Sequence, residues 1–382
     1  MLTLEGCRNR QARFNARLEA DQIAAALISA PRDIYYLTGL LPESPTGTVP
    51  SVLCLGPGLP VWLVSGQEGG EAAVDERVSF ALSEMGTLNP DNQMRLCALV
   101  ADRARVNQNL GRLGYQAESL PFQVARTFED AASPREWEQV DEILQELQQY
   151  KDPDEICCIR RAIRATLAGY TRAQQVIRPG VREIEVMTEC QAAAQRYTGA
   201  IHFFNGDFRS GELGGFARNR TIAAGEMYII DAWSDVDGYW CDMSRTWIVG
   251  DHPSDLQAEV YAHIAGILEA VPHMARIGRS TRDLWSELDA RIREHPHLAA
   301  RGLIHHGGHG LGLRPHEPPD LNRDRGGVFA PGNVFTCEPG AYSDELRGGV
   351  RLENVFQVTE QGIEVLSPYP LDLHPDPQCP IP

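Results

Sequence analysis

A chain of 382 residues with 43% apolar content can build two domains, each burying its own core. A formal net charge of −17 excludes nucleic acid and anionic membrane as partners, and no apolar run is long enough for a membrane span or a signal peptide. Nine cysteines without paired spacing argue against a disulfide framework and point to a reducing, cytoplasmic compartment.

Residues 1–130 mix strands and helices. Apolar runs over 24–30 and 52–55 read as strands, and Gly56-Pro57-Gly58 turns the second into another over 60–64. Residues 93–106 read as a helix. Ser133-Pro134-Arg135-Glu136 has the form of a helix start, with Ser as cap, Pro first and Glu third. This predicts a helix to about residue 150. Lys151-Asp152-Pro153 breaks it, so the domain boundary is placed there, dividing the chain into 1–150 and 151–382.

The next helix carries Ile156, Ile159, Ile163, Leu167, Tyr170 and Ile177 on one stripe and ends at Pro179-Gly180. Further helices are expected at about 182–197, 254–275 and 281–294. Strands with interspersed helices indicate an α+β architecture, antiparallel where the chemistry lies. The proline-rich tail from Ser367 is expected to be extended or mobile.

Between those helices, an apolar run ends at Asp231 and another opens with Asp242. Asp237-Gly238 between them is a strong hairpin turn signal. A fold near Val236-Asp237 sets Asp231 and Asp242 roughly opposite, where cross-strand neighbours lie ~5 Å apart. A similar unit follows: a turn at Pro331-Gly332, a strand over 333–337 ending at Glu338, and a partner strand over 350–358 carrying Glu353. Gly225 precedes Asp231, and Gly332 precedes Glu338, by the same interval, which suggests two similar half-domains. Period two puts Arg351 on the face of Glu353, placed to orient a ligand carboxylate. The Gly-rich stretch 307–312 lets backbone approach a crowded site and supplies His309, with His305 and His316 nearby. Four carboxylates and one imidazole exceed the needs of a single divalent ion and suit two, an arrangement built for hydrolysis.

At these residues the chain resembles the pita-bread metallopeptidase family: Xaa-Pro aminopeptidases, Xaa-Pro dipeptidases (prolidases), methionine aminopeptidases and creatinases. Gly-His-Gly-Leu-Gly-Leu with His316-Glu317-Pro318 after it, Cys337-Glu338-Pro339-Gly340, Arg351-Leu352-Glu353 and the paired aspartates match in order and spacing, over about residues 150–365. Tyr36-Leu37-Thr38-Gly39 resembles a segment of the N-terminal α/β domain of the creatinase/prolidase type. The resemblance implies two pseudo-symmetric halves around an antiparallel sheet. It implies Asp231, Asp242, His309, Glu338 and Glu353 as ligands of two divalent ions (manganese, zinc, cobalt or iron). Glu338 would also take the proton of the attacking water, and His305 and His316 would contact the substrate carbonyl or stabilise the tetrahedral intermediate. It further implies a homodimer acting on small peptides. The extra N-terminal domain favours Xaa-Pro substrates, dipeptides first. The alternatives are a metal-dependent C–N hydrolase or lyase on a small non-peptide metabolite and a non-catalytic binding protein.

One departure stands out. Members of the family carry a further histidine some seventeen or eighteen residues before the first aspartate ligand. Here residues 210–220 contain none, and the nearest upstream is His202. Either Arg218 or His202 substitutes, or the substrate is not an ordinary Xaa-Pro peptide. Arg218, Arg314 and Arg347 are candidates for holding a substrate carboxylate. Asp235 and Asp237 read as solvated turn residues, Phe203-Phe204 as core, His295 and His297 as a helix end, and Cys241 and Cys337 as core.

Overall fold

Alternating helical and extended patterns in the first third of the chain build a mixed sheet. In the computed structural model, which describes residues 1–44, 47–67, 69–82, 91–106, 110–250 and 252–379, the chain divides into two units, 1–148 and 149–382. The sheet of the first unit runs in the order Glu76–Ser79, Trp62–Ser65, Ser51–Leu55, Ile23–Ile28, Arg112–Tyr115, Glu136–Gln139. Its central strand Ile23–Ile28 is parallel to Arg112–Tyr115 and antiparallel to Ser51–Leu55. The helices Asn92–Ala104 and Phe122–Ala132 cover one face and bury Val100, Val124 and Phe128 there.

The expected helix from Ser133 is not formed. Ser133 instead ends the helix Phe122–Ala132 in a left-handed conformation (φ 49°). Glu136–Gln139 becomes an edge strand parallel to Arg112–Tyr115, with Trp137 edge-on to Tyr115. The local signature is overridden by a sheet edge that offers backbone partners: Arg135 N donates to the Gly111 carbonyl at 3.0 Å. The helix begins later, at Asp141–Gln148, with Asp141 and Glu142 in its first turn.

The second unit starts with the helix Pro153–Val176, opened by a capping box between Asp152 and Glu155 with Pro153 in the first turn. Its apolar stripe packs on a three-stranded antiparallel sheet of Phe203–Ser210, Met227–Val236 and Tyr239–Ile248. The hydroxyl of buried Tyr170 reaches the backbone of Ile230, Ala232 and Met243, which ties helix to sheet. A second sheet runs Glu317–Leu321, Gly308–Gly310, Val334–Cys337, Asn354–Thr359, Gly362–Val365. Helices Asp255–Met274 and Thr281–Arg293 bury Ile264, Leu268 and Leu288 in the same core as Phe335 and Phe356. Among the described residues no helix is long and apolar enough to cross a membrane.

The hairpin register differs from the sequence expectation. Met227–Val236 and Tyr239–Ile248 turn on Asp237-Gly238, so Asp231 pairs with Ser244 and Asp242 with Trp233. A two-residue turn with positive φ at both positions fixes this register. Asp231 and Asp242 therefore share one face as diagonal neighbours instead of lying opposite. The described part of the proline-rich tail, 367–379, forms no helix or strand, bends at 373–374, turns at 377–378 and is held in place. Leu373 O accepts from Ile248 N at 2.9 Å, and Asp376 N donates to Gln174 Oε1 at 2.6 Å.

Candidate metal centre

Each acidic side chain of the site arrives from a defined point of the two sheets. Asp231 and Asp242 come from the hairpin. In the second sheet Cys337 pairs with Asn354, so Glu338 and Glu353 follow as the next opposed pair, just beyond the ladder. Residues 352–353 form the step between two strands in different sheets, Gly348–Arg351 and Asn354–Thr359, where the sequence suggests a single strand. That step is pinned. Glu353 N donates to Ser244 O at 2.9 Å, and buried Arg245 donates from Nη1 to Glu353 O at 2.7 Å. His309 sits in the short strand Gly308–Gly310. A side chain at Gly308 (φ 142°) would run into the Thr336 carbonyl, so glycine lets this strand close on its neighbour.

The five groups converge. Ligand atoms of Asp231, Asp242 and Glu353 lie within 4.8 Å of one another, as do those of His309, Glu338 and Glu353, and those of Asp242, His309 and His316. Asp231 Oδ1, Asp242 Oδ1 and both oxygens of Glu353 are buried without a hydrogen-bond partner. Buried carboxylates left unpartnered are costly. Oxygen donors clustered in this way fit divalent cations, with Asp242 and Glu353 shared between triads.

Electrostatics agree. Burial pushes the Asp231 carboxyl up to about 6, partly opposed by the Arg351 guanidinium. Burial and the neighbouring carboxylates push Asp242 and Glu353 well above the usual range. Glu338 goes the other way. Burial raises it, but the close His306 contact and the charges of His306, His305 and His309 outweigh this and hold it at about 2. Burial also lowers His309 to about 4, with His316 adding to the effect.

The imidazoles divide by their partners. His309 Nδ1 donates to Gly310 O at 3.0 Å, which leaves the Nε2 lone pair facing Asp242 Oδ2 at 3.6 Å and Glu338 Oε1 at 4.0 Å. The His316 ring lies 3.8 Å, centroid to centroid, from that of His309. His305 is committed at both nitrogens: Nδ1 donates to His306 O at 2.6 Å, and Nε2 accepts from Tyr342 OH at 2.9 Å. His306 Nδ1 instead lies 3.0 Å from Glu338 Oε1, in ion-pair range but off-line for a regular hydrogen bond. It is the imidazole whose basicity is raised, first by that Glu338 contact.

A cavity of about 290 Å³ opens over these groups. Among the described residues, the arginine that lines it is Arg351; Arg218, Arg314 and Arg347 do not. Arg218 is held by Glu183 and Glu212, so it does not substitute for the missing histidine, and His202 is likewise outside the cavity, bonded to Thr198 and Ala200. Arg351 pairs with a carboxylate of the cluster, that of Asp231 (2.8 Å) rather than that of its strand neighbour Glu353. Asp237 pairs with Arg161, and Asp235 Oδ1 accepts from Gly238 N, which gives both turn roles. Phe204 is core, whereas Phe203 is half-exposed and packs on Trp240. Buried Cys241, whose thiol burial pushes up to about 12, and buried Cys337 are inert neighbours. Asp207, Tyr342 and Arg245 are the contributors that motif reading missed. The alternation of Phe204, Gly206 and Phe208 with Asn205 and Asp207 along the strand Phe203–Ser210 was the available signal for the first.

Two sheets delivering paired carboxylates and an imidazole to one buried cluster define a hydrolytic metal-site architecture. The description "Metallopeptidase family M24" matches residues 157–360, and "Creatinase/Prolidase N-terminal domain" matches residues 10–148. The chain belongs to metallopeptidase family M24, with a creatinase/prolidase-type α/β domain followed in sequence by the pita-bread α+β catalytic fold. It is 28% identical over 264 residues to an Xaa-Pro dipeptidase of Pyrococcus furiosus, covering 68% of this chain and 74% of that one. It is 29% identical over 256 residues to an Xaa-Pro aminopeptidase of Escherichia coli, covering 59% and 57%. The solved structure of an Xaa-Pro dipeptidase from Bacillus anthracis superposes with a TM-score of 0.77 at 24% identity, over 96% of this chain and 99% of that one.

Proposed function

We propose that residues 151–382 form the catalytic domain of a dinuclear metallopeptidase that cleaves Xaa-Pro bonds. The observation that carries this reading is the set of unpartnered, mutually facing carboxylate oxygens of Asp231, Asp242 and Glu353. Asp231, Asp242, His309, Glu338 and Glu353 would hold two divalent ions, for which manganese, zinc, cobalt and iron all suit the donor set. Such ions supply an acidified water and a polarised carbonyl. Glu338 takes up the proton of the attacking water. His306, against its Oε1, stabilises the carboxylate and passes the proton toward the leaving amine. His316, which lines the same cavity, stabilises charge developing on the carbonyl oxygen. His305 and Tyr342 hold each other and the wall of the cavity. The relatives named for Xaa-Pro cleavage support the substrate class. Nine free cysteines support a reducing, cytoplasmic setting, and the family likeness supports a homodimer.

The test is hydrolysis of Xaa-Pro, Xaa-Pro-Yaa and Xaa-Ala peptides by protein reconstituted with each metal, with products identified. Release at the Xaa-Pro bond that depends on metal supports the reading. Inactivity on every Xaa-Pro peptide despite bound metal sinks it and favours a C–N hydrolase acting on a non-peptide substrate.

A further inference from the structure

Asp207 stands directly across from Asp231 in the register of Phe203–Ser210 with Met227–Val236. Arg351 bridges the pair, with Nη2 2.5 Å from Asp207 Oδ2 and 2.8 Å from Asp231 Oδ2. Its Nη1 reaches Tyr342 OH at 3.4 Å; its Nε has no hydrogen-bond partner but is buried, out of a substrate's reach. The one arginine lining the cavity, among the described residues, is therefore committed. The Asp207 side chain is the more open partner, 22% exposed against 11% for Arg351.

The space for this carboxylate comes from Gly214, which lies seventeen residues before Asp231. Gly214 has φ 144°, and a Cβ there would come within 2.5 Å of Asp207 Oδ2 and 3.4 Å of Arg351 Nη1. Where the family pattern puts an imidazole, this chain has no side chain, and a carboxylate reaches in from the adjacent strand. Leu213 completes that side of the cavity.

We propose that Asp207 is a specificity-determining residue that excludes a free carboxylate beside the scissile bond. The preferred substrates are then Xaa-Pro peptides that continue past proline or end in a neutral group, and Xaa-Pro dipeptides are poor. This rests on the peptidase reading above. A substrate carboxylate held on this side of the cavity would face Asp207, where the one arginine among the described lining residues is already paired with two aspartates, and like charges at contact range repel strongly where water is scarce. A neutral amide meets no such barrier and can donate to the Asp207 carboxylate.

Ala-Pro and Ala-Pro-amide, which differ only in that charge, are the probes. The metal-loaded wild-type protein is expected to favour the amide in kcat/KM by at least tenfold. Asp207→Asn is expected to shrink that ratio about tenfold, mainly through KM for the free acid. A structural role alone would move both substrates together. Calorimetric affinities of L-prolinamide and L-proline are expected to follow the same order and the same response. Equal or better use of the free acid by the wild type, or a ratio unchanged in Asp207→Asn, overturns the proposal. Should neither peptide be cleaved, the peptidase reading fails, and the two calorimetric affinities decide the charge preference by themselves.

Discussion

His306 Nδ1 lies 3.0 Å from Glu338 Oε1, whereas the neighbouring His305 has both ring nitrogens bonded elsewhere. Adjacent positions in one Gly-rich loop thus serve different ends. The more open, raised-basicity imidazole is the one placed to carry a proton, and the less open one braces Tyr342. His306→Ala should lower kcat by roughly 10²–10⁴-fold, the usual scale for losing one proton-transfer group, with metal content unchanged. His305→Gln should cost less in kcat. Steady-state kinetics beside metal analysis checks both; equal kcat losses in the two variants would remove the distinction.

Stability without metal should fall as pH rises above about 6.5, the ordinary histidine pKa. Asp242 and Glu353 are raised well above the carboxylate range, chiefly by burial, so the folded protein gives up their protons at higher pH than the unfolded chain does. His306, raised by its Glu338 contact, acts in the same direction. A raised group contributes stability that is lost as pH climbs through its folded pKa. The lowered histidines, His305, His309 and His316, oppose this only below about 6.5, because above it they are neutral in both states. Glu338, held near 2, loses its contribution only in strong acid. Thermal melts of chelator-treated protein from pH 6.5 to 8 should show a declining Tm. Added divalent cation should reverse the trend and release protons, measurable as buffer-dependent binding heats. A rising metal-free Tm over that range would contradict this account.

The candidate ligands are legible because each sits in or at an end of a strand-like run or in a Gly-rich loop, features that period and turn chemistry expose. Position along a strand was readable, but register was not. Asp231 and Asp242 were displaced by two residues from the expected pairing because the turn closed on Asp237-Gly238 rather than Val236-Asp237. Asp207 escaped notice because its significance comes from a cross-strand partner in a different segment, which no local pattern records. The strand Glu136–Gln139 departs from its helix-like local signature for a related reason: its conformation is set by a sheet edge that pairs it with Arg112–Tyr115, some two dozen residues earlier.

Lys151 and Glu317 form a buried ion pair, 1% and 6% exposed at the side chain, next to Gly312 and beside His316. Breaking one side leaves an uncompensated buried charge. Lys151→Ala should therefore destabilise the protein by about 3–5 kcal/mol. By contrast, removing the exposed Arg126–Glu129 pair should cost within about 1 kcal/mol. Denaturant unfolding of both variants tests the ranking. Comparable losses would mean that Lys151 is better solvated than its burial implies.

Asp242 belongs to two of the three candidate triads of the cluster and has an unpartnered buried oxygen, so burying its carboxyl, charged or protonated, opposes folding near neutral pH until a cation arrives. Asp242→Asn keeps the shape and removes the charge. The metal-free variant should gain roughly 1–2 kcal/mol, since the amide avoids the cost of burying or protonating the carboxylate, about 1.4 kcal/mol for each tenfold of proton affinity gained on folding. For a unit of this size that corresponds to a Tm increase of about 2–8 °C. The same variant should lose turnover and the metal-induced rise in Tm, because a carboxamide replaces an anionic donor shared by both halves of the cluster. Paired melts with and without metal separate this from a simple folding defect: a folding defect lowers the metal-free Tm, whereas a ligand role raises it and flattens the response to metal. A variant with lowered metal-free Tm and an intact metal response would show that Asp242 supports the hairpin rather than the cations.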